Sequence, residues 1–70
     1  MNIILNQQAA DLNTLLVGTP TVAALLHALQ QDKAGVAVAQ NDTIVSRSQW
    51  ASTLIDAGDR IDIFSVIAGG

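Results

Sequence analysis

Cysteine and glutamate are absent from the 70 residues, and only three side chains are basic: Lys33, Arg47 and Arg60. Without cysteine the chain can form neither a disulfide nor a thiolate metal site. Six aspartates oppose the three basic residues, giving a net charge of -3. That balance excludes a nucleic-acid reader, which needs a basic face to neutralise phosphates, and is compatible with a basic protein partner. Aromatic residues are equally scarce, with Trp50 and Phe64 the only two, so the core must be built from Val, Ile, Leu and Ala. Long hydrophobic runs are missing too. Ile3-Ile4-Leu5 is too short for the apolar centre of a signal peptide, and no positive region precedes it. No stretch is long enough to span a membrane, which leaves the cytoplasm as the expected compartment. No glycine-rich phosphate loop, metal-ligand cluster or nucleophile–base pair occurs, so an independent enzyme is not expected.

Half of the residues are hydrophobic, which is enough for one small globular domain and too many for a disordered chain. Asn2 to Asn6 reads as a strand, Gln7 to Ala10 as a turn-like link and Leu12 to Val17 as a second strand. Thr19 suits a helix N-cap, and Pro20 the first helical position, where its missing N–H costs nothing. Val22, Leu25, Leu26 and Leu29 then recur at i, i+3, i+4 and i+7, the apolar stripe of one helix. Lys33 lies near its expected end and Gly35 is the expected terminator. Val36 to Gln40 is a β-branched strand, Asn41-Asp42 a turn, and Ile44-Val45 resumes extended structure. Ser46 and Gln49 fit a capping box, with Val45 and Trp50 as a hydrophobic staple around a short helix or 3₁₀ turn over Arg47 to Thr53. Ala57-Gly58-Asp59 turns the chain, with Asp59 serving the turn, and Arg60 to Val66 forms the last strand. The order is ββαββ with a small helical turn before the last strand, an α+β domain in which one helix covers a mixed sheet.

The sequence ends Val66-Ile67-Ala68-Gly69-Gly70. Residues 1–66 are read as the domain and 67–70 as a flexible tail. Glycines have no Cβ to block a narrow channel and alanine adds only a methyl, so Ala68 and Gly69 would give access and Gly70 would offer its carboxylate. In the last strand Ile61 and Ile63 alternate with Asp62 and Phe64. If the two isoleucines face the helix, Phe64 and Val66 share the opposite face beside the tail, where an aromatic anchor suits an interface. His27 lies off the apolar stripe and is expected to be solvated. Arg47 fits either a solvated helix start or a partner contact.

Several of these segments together resemble the ubiquitin-like β-grasp sulfur carriers of thiamine biosynthesis, the ThiS type. The resemblance rests on Ile44-Val45-Ser46-Arg47-Ser48-Gln49-Trp50, on Leu54, on Gly58-Asp59-Arg60-Ile61-Asp62-Ile63 and on the terminal Val66-Ile67-Ala68-Gly69-Gly70. It covers nearly the whole chain, and the Arg47-x-x-Trp50 element points to the thiamine branch. Ser46 stands where the family commonly has proline.

The resemblance implies a β-grasp fold and a carrier whose partners supply the catalytic groups. A ThiF-like adenylyltransferase would use ATP to activate Gly70, and a persulfide donor protein would convert it to a thiocarboxylate. That thiocarboxylate would give its sulfur to a ThiG-like thiazole synthase. The carrier itself would bind no cofactor and no metal. Phe64, Val66, Ile67 and Arg47 are the expected partner-binding residues. Two other readings share much of this pattern: the small subunit of molybdopterin synthase, with the same fold and tail, and a β-grasp interaction module or modifier without sulfur chemistry. A domain with a stabilising role only is a third.

Overall fold

The computed structural model describes residues 1–65, and residues 66–70 lie outside it. Five strands form one mixed sheet: β1 (Asn2–Leu5), β2 (Gln8–Asp11), β3 (Val36–Gln40), β4 (Thr43–Ile44) and β5 (Arg60–Ser65), in the order β2-β1-β5-β3-β4. The last strand in sequence is thus central in space. It runs parallel to β1 and antiparallel to β3. Two short helices, α1 (Leu12–Leu15) and α2 (Val22–Ala28), and a 3₁₀ helix (Arg47–Ser52) complete the domain.

The helical stripe packs as its spacing requires. Val22, Leu25 and Leu26 are fully buried, and Leu29 packs partly against them. They meet Ile3, Val38 and Ile61 from one face of the sheet, with Leu12, Val45, Trp50 and Ile55 closing the core from the connections.

The second strand is not where its apolar residues suggest. Asn6 and Gln7 both take left-handed backbone, with φ of 49° and 70°, and make a two-residue hairpin turn that pairs Leu5 with Gln8. The strand is therefore Gln8–Asp11, the segment expected to be a link. Leu12 to Leu15, expected to be extended, is a helical turn capped by Asp11, whose carboxylate accepts from the Asn13 N–H at 3.0 Å. This turn buries Leu12, which a strand would have presented differently.

Helix α2 also starts later than the Thr19-Pro20 signal. Thr21 is the N-cap and its hydroxyl accepts from the Ala24 N–H at 3.1 Å. Pro20 and Thr21 are held extended against the loop after the 3₁₀ helix: the Val22 N–H donates to the Thr53 carbonyl and the Ile55 N–H to the Pro20 carbonyl. The helix ends at Ala28, well before Gly35. Gln30 takes φ of 59°, and the Gln31 N–H donates to the Leu26 carbonyl at 2.7 Å while the Gln30 N–H donates to that of His27. This is a Schellman closure made without glycine. Lys33 consequently lies beyond the helix, and Gly35 (φ 84°) serves the connection to β3.

The 3₁₀ helix begins after Ser46, but the capping box does not form. The Ser46 side chain makes no cap hydrogen bond, and the Gln49 N–H takes the Ser46 backbone carbonyl instead. The staple does form: Val45 and Trp50 are both buried, and the indole N–H donates to the Val45 carbonyl at 2.9 Å.

Candidate functional site

The candidate site is the C-terminal end of β5, as far as Ser65, and the sheet face around it. Pairing of Ile63 with Val38 and of Phe64 with Ala37 fixes the two faces of the strand. Ile61 is fully buried on the helix side and Ile63 packs against that core. Phe64 therefore lies on the open side, where 44% of it is exposed. Ile4 and Ile44 share that face and are also exposed, with the small Ala37 and Ala39 of β3 between the larger side chains. The result is an apolar surface on the side the helix does not cover. Arg60 and Asp62 of the central strand share this face and interrupt it, opposite Ile4 and Ala39 respectively, and the Arg60 guanidinium pairs with Asp42 in the β3–β4 turn.

The start of β5 is anchored by a network that the sequence reading reduced to a turn. Asp59 is nine-tenths buried. Its carboxylate accepts from Gln40 Nε2 and the Asp56 N–H, both at 2.8 Å, and from Asn41 Nδ2 at 3.1 Å. Its backbone carbonyl accepts from the Ile4 N–H. Burial raises the carboxyl's pKa, but the hydrogen bonds from Asp56, Asn41 and Gln40 outweigh it and hold the group below its ordinary value. Gly58, at φ 85°, gives the turn the backbone that an L side chain resists. Through its carboxylate and its backbone carbonyl, Asp59 thus ties the β3–β4 turn, the loop after the 3₁₀ helix and β1 to the start of β5.

A second clamp grips the strand near its far end. Asn6 Oδ1 accepts from the Ile63 N–H at 2.8 Å. The asparagine has left the β1 ladder, and its side-chain carbonyl takes the place of the next backbone acceptor. Its positive φ is compatible with asparagine, but nothing in the local pattern signals a contact to a residue 57 positions away.

Arg47 has intramolecular partners. Its guanidinium lies over the Trp50 ring, 4.4 Å from the centroid, and donates to the Lys33 carbonyl. His27 is exposed as expected, with Nδ1 3.0 Å from Asp32 Oδ2. Val66, Ile67, Ala68, Gly69 and Gly70 lie outside the described residues. Among the described residues no group of His, Cys, Asp or Glu is arranged to hold a metal, and no helix is long and apolar enough to cross a membrane.

The ThiS family model matches residues 2–70. The chain belongs to the ThiS family. It is 44% identical to the sulfur carrier protein ThiS of Escherichia coli, with both chains covered from end to end. The crystal structure of the thiamine biosynthesis protein ThiS from Geobacter metallireducens superposes with a TM-score of 0.83 at 25% identity, again over the whole of both chains. The β-grasp expectation for this ThiS chain is thereby met. A thiazole synthase from Paramagnetospirillum magneticum is 33% identical over all 70 residues, which span 20% of that protein.

Proposed function

We infer that this protein is a sulfur carrier of thiamine biosynthesis and that the Gly70 carboxylate is its reactive group. The observation that carries the reading is the match to the E. coli carrier over both whole chains, which takes in Gly69 and Gly70. A carboxylate resists nucleophiles because its charge is delocalised and it has no good leaving group. Attack of Gly70 on the α-phosphate of ATP expels pyrophosphate and leaves an acyl-adenylate. The terminal sulfur of a persulfide then attacks the acyl carbon and expels AMP. Cleavage of the remaining S–S bond by a thiol leaves a C-terminal thiocarboxylate. The absence of cysteine fits this chemistry, because the sulfur rides on the acyl carbon.

The protein is a co-substrate in this scheme. A ThiF-like adenylyltransferase supplies the ATP site, a persulfide protein the sulfur, and thiazole synthase receives it, all in the cytoplasm. The carrier needs no cofactor of its own. Support for the last partner comes from the thiazole synthase that contains a stretch similar to this entire chain. Residues 67–70 act as the tail that enters these enzymes, with Ala68 and Gly69 keeping it thin. Docking is assigned to the open sheet face around Phe64, with Val66 and Ile67 as further partner-binding residues. Arg47, stacked on Trp50, contributes at most through the aliphatic and cationic surface it leaves outside.

ATP–pyrophosphate exchange with the cognate activating enzyme tests the assignment to Gly70. Deleting Gly70 shortens the reach by about 3.3–3.6 Å, comparable to a near-attack separation of about 3–3.5 Å. The deletion, and a chain extended by one residue, should both fold and both fail to exchange. Exchange by the untrimmed extended chain would refute the assignment.

A further inference from the structure

Strand β5 outruns the strand beside it. Its ladder with β1 comprises only Ile4 against Arg60 and Leu5 against Ile61. The Ile4 N–H donates to the Asp59 carbonyl and the Asn6 N–H to that of Ile61, so the odd-numbered residues of β5 direct their backbone groups toward β1. At Asn6 the neighbour turns away into the hairpin, and its side chain makes one last bond to the Ile63 N–H. Beyond that point the Ile63 carbonyl and the Ser65 N–H face the same side, and among the described residues no backbone group pairs with them. The other edge of β5 is occupied to the end, with Val36 opposite Ser65.

The vacated position is a recess with a shaped floor. A cavity of about 350 Å³ opens there. Leu5, Leu29 and Ile63 give it an apolar wall, and Asn6, Gln31 and Ser65 a polar rim. Leu29 and Gln31 arrive because α2 ends early, in the glycine-free closure at Gln30. An unpaired strand edge beside an apolar pocket is the arrangement that receives an added strand: the backbone supplies hydrogen bonds and the pocket selects a side chain.

We propose that this recess is the docking site for an extended segment of the enzyme that adenylates Gly70, carrying one aliphatic side chain into the cavity. The proposal rests on the sulfur-carrier reading. The segment continues the line of β1, donates an N–H to the Ile63 carbonyl and accepts from the Ser65 N–H. Its aliphatic side chain lies against Leu5, Leu29 and Ile63. Position argues for this occupant. Gly70 is only the fifth residue after Ser65, a span of at most roughly 17 Å, so a strand gripped here holds the carrier close to where its carboxylate reacts. A second copy of the chain is a poor fit, because an isologous contact must be self-complementary. Two recesses meeting face to face would bring their Asn6–Gln7 turns together.

The donor can be removed without touching the β3 ladder. Ser65→Pro deletes an N–H that points away from β3, and proline is tolerated on such an edge. Gln31→Trp fills the recess from the other wall. Titration of the full-length carrier against its activating enzyme should show Ser65→Pro binding about threefold to tenfold more weakly, with Tm unchanged. Gln31→Trp should also weaken binding, and hydrogen exchange at the Ser65 amide should slow when the enzyme binds. Wild-type affinity in both variants, with the Ser65 amide unprotected in the complex, would overturn the proposal. So would a carrier dimer in sedimentation that Ser65→Pro abolishes while enzyme binding persists. Failure of the wild-type chain itself to support ATP–pyrophosphate exchange would instead be the failure of the sulfur-carrier reading.

Discussion

Replacing Asp59 tests how the domain holds its central strand, β5. The carboxylate accepts three hydrogen bonds while nine-tenths buried. A hydrogen bond to a charged group contributes about 1.5–3 kcal/mol, and bonds in one network do not add simply. Asp59→Ala leaves the Asp56 N–H and the Asn41 amide without this acceptor, whereas Gln40 keeps its bond to the Leu54 carbonyl. The expected loss is about 3–5 kcal/mol. A 70-residue domain has roughly 4–10 kcal/mol in total, so the midpoint should fall by about 15–30 °C. Asp59→Asn keeps the shape but turns an NH₂ toward at least one donor, and should lose about 2–3 kcal/mol. The pH dependence separates charge from shape. The folded carboxyl titrates below its ordinary value of 3.8, so its stabilisation is present above that value and is lost as pH falls through the lower folded one. Asp59→Asn should therefore flatten the acid limb of stability below about pH 4. Some slope should remain, because Asp11 and Asp32 are also held low, by the Asn13 N–H and by His27 respectively. Urea unfolding by circular dichroism between pH 2.5 and 7 reads both effects. A loss under about 1 kcal/mol in Asp59→Ala would refute the network's role. An unaltered acid limb in Asp59→Asn would refute the assigned titration.

Other outcomes follow from the same packing. Leu26→Ala should lose about 2–5 kcal/mol in thermal or urea unfolding, since Leu26 is fully buried in the centre of the core. Trp50→Phe should lose about 1–3 kcal/mol, because it strands the buried Val45 carbonyl and removes the platform for Arg47. Phe64→Ala should lose less than about 2 kcal/mol, being half exposed, yet weaken binding to the activating enzyme by about tenfold or more in calorimetry.

Much of this fold was legible in the sequence because its strongest signals are local. The Val22/Leu25/Leu26/Leu29 stripe and the alternation around Ile61 and Phe64 follow from periods of 3.6 and 2, the Val36–Gln40 strand from its β-branched residues, and the Asn41-Asp42 turn from its turn-forming residues. What misled was competition between local signals and distant backbone. Thr19-Pro20 is a sound helix start, but Pro20 and Thr21 pair with residues 53–55 and delay the helix. Leu12 to Val17 reads as a strand, whereas the hairpin turn at Asn6-Gln7 has already spent the pairing register on Gln8–Asp11. Of the site, the exposed face of Phe64 was readable from alternation. The grip of Asn6 on Ile63 and the gathering of Gln40, Asn41 and Asp56 around Asp59 were not, since they join positions far apart in the chain.

Intact-mass measurement bears most directly on the central claim. The full-length chain is incubated with its cognate activating enzyme, ATP and a persulfide donor, then weighed and fragmented. The carrier reading predicts a gain equal to one sulfur replacing one oxygen, located at Gly70 and dependent on ATP. An unchanged mass while the enzyme is active on another carrier, or a gain located anywhere but Gly70, would contradict it.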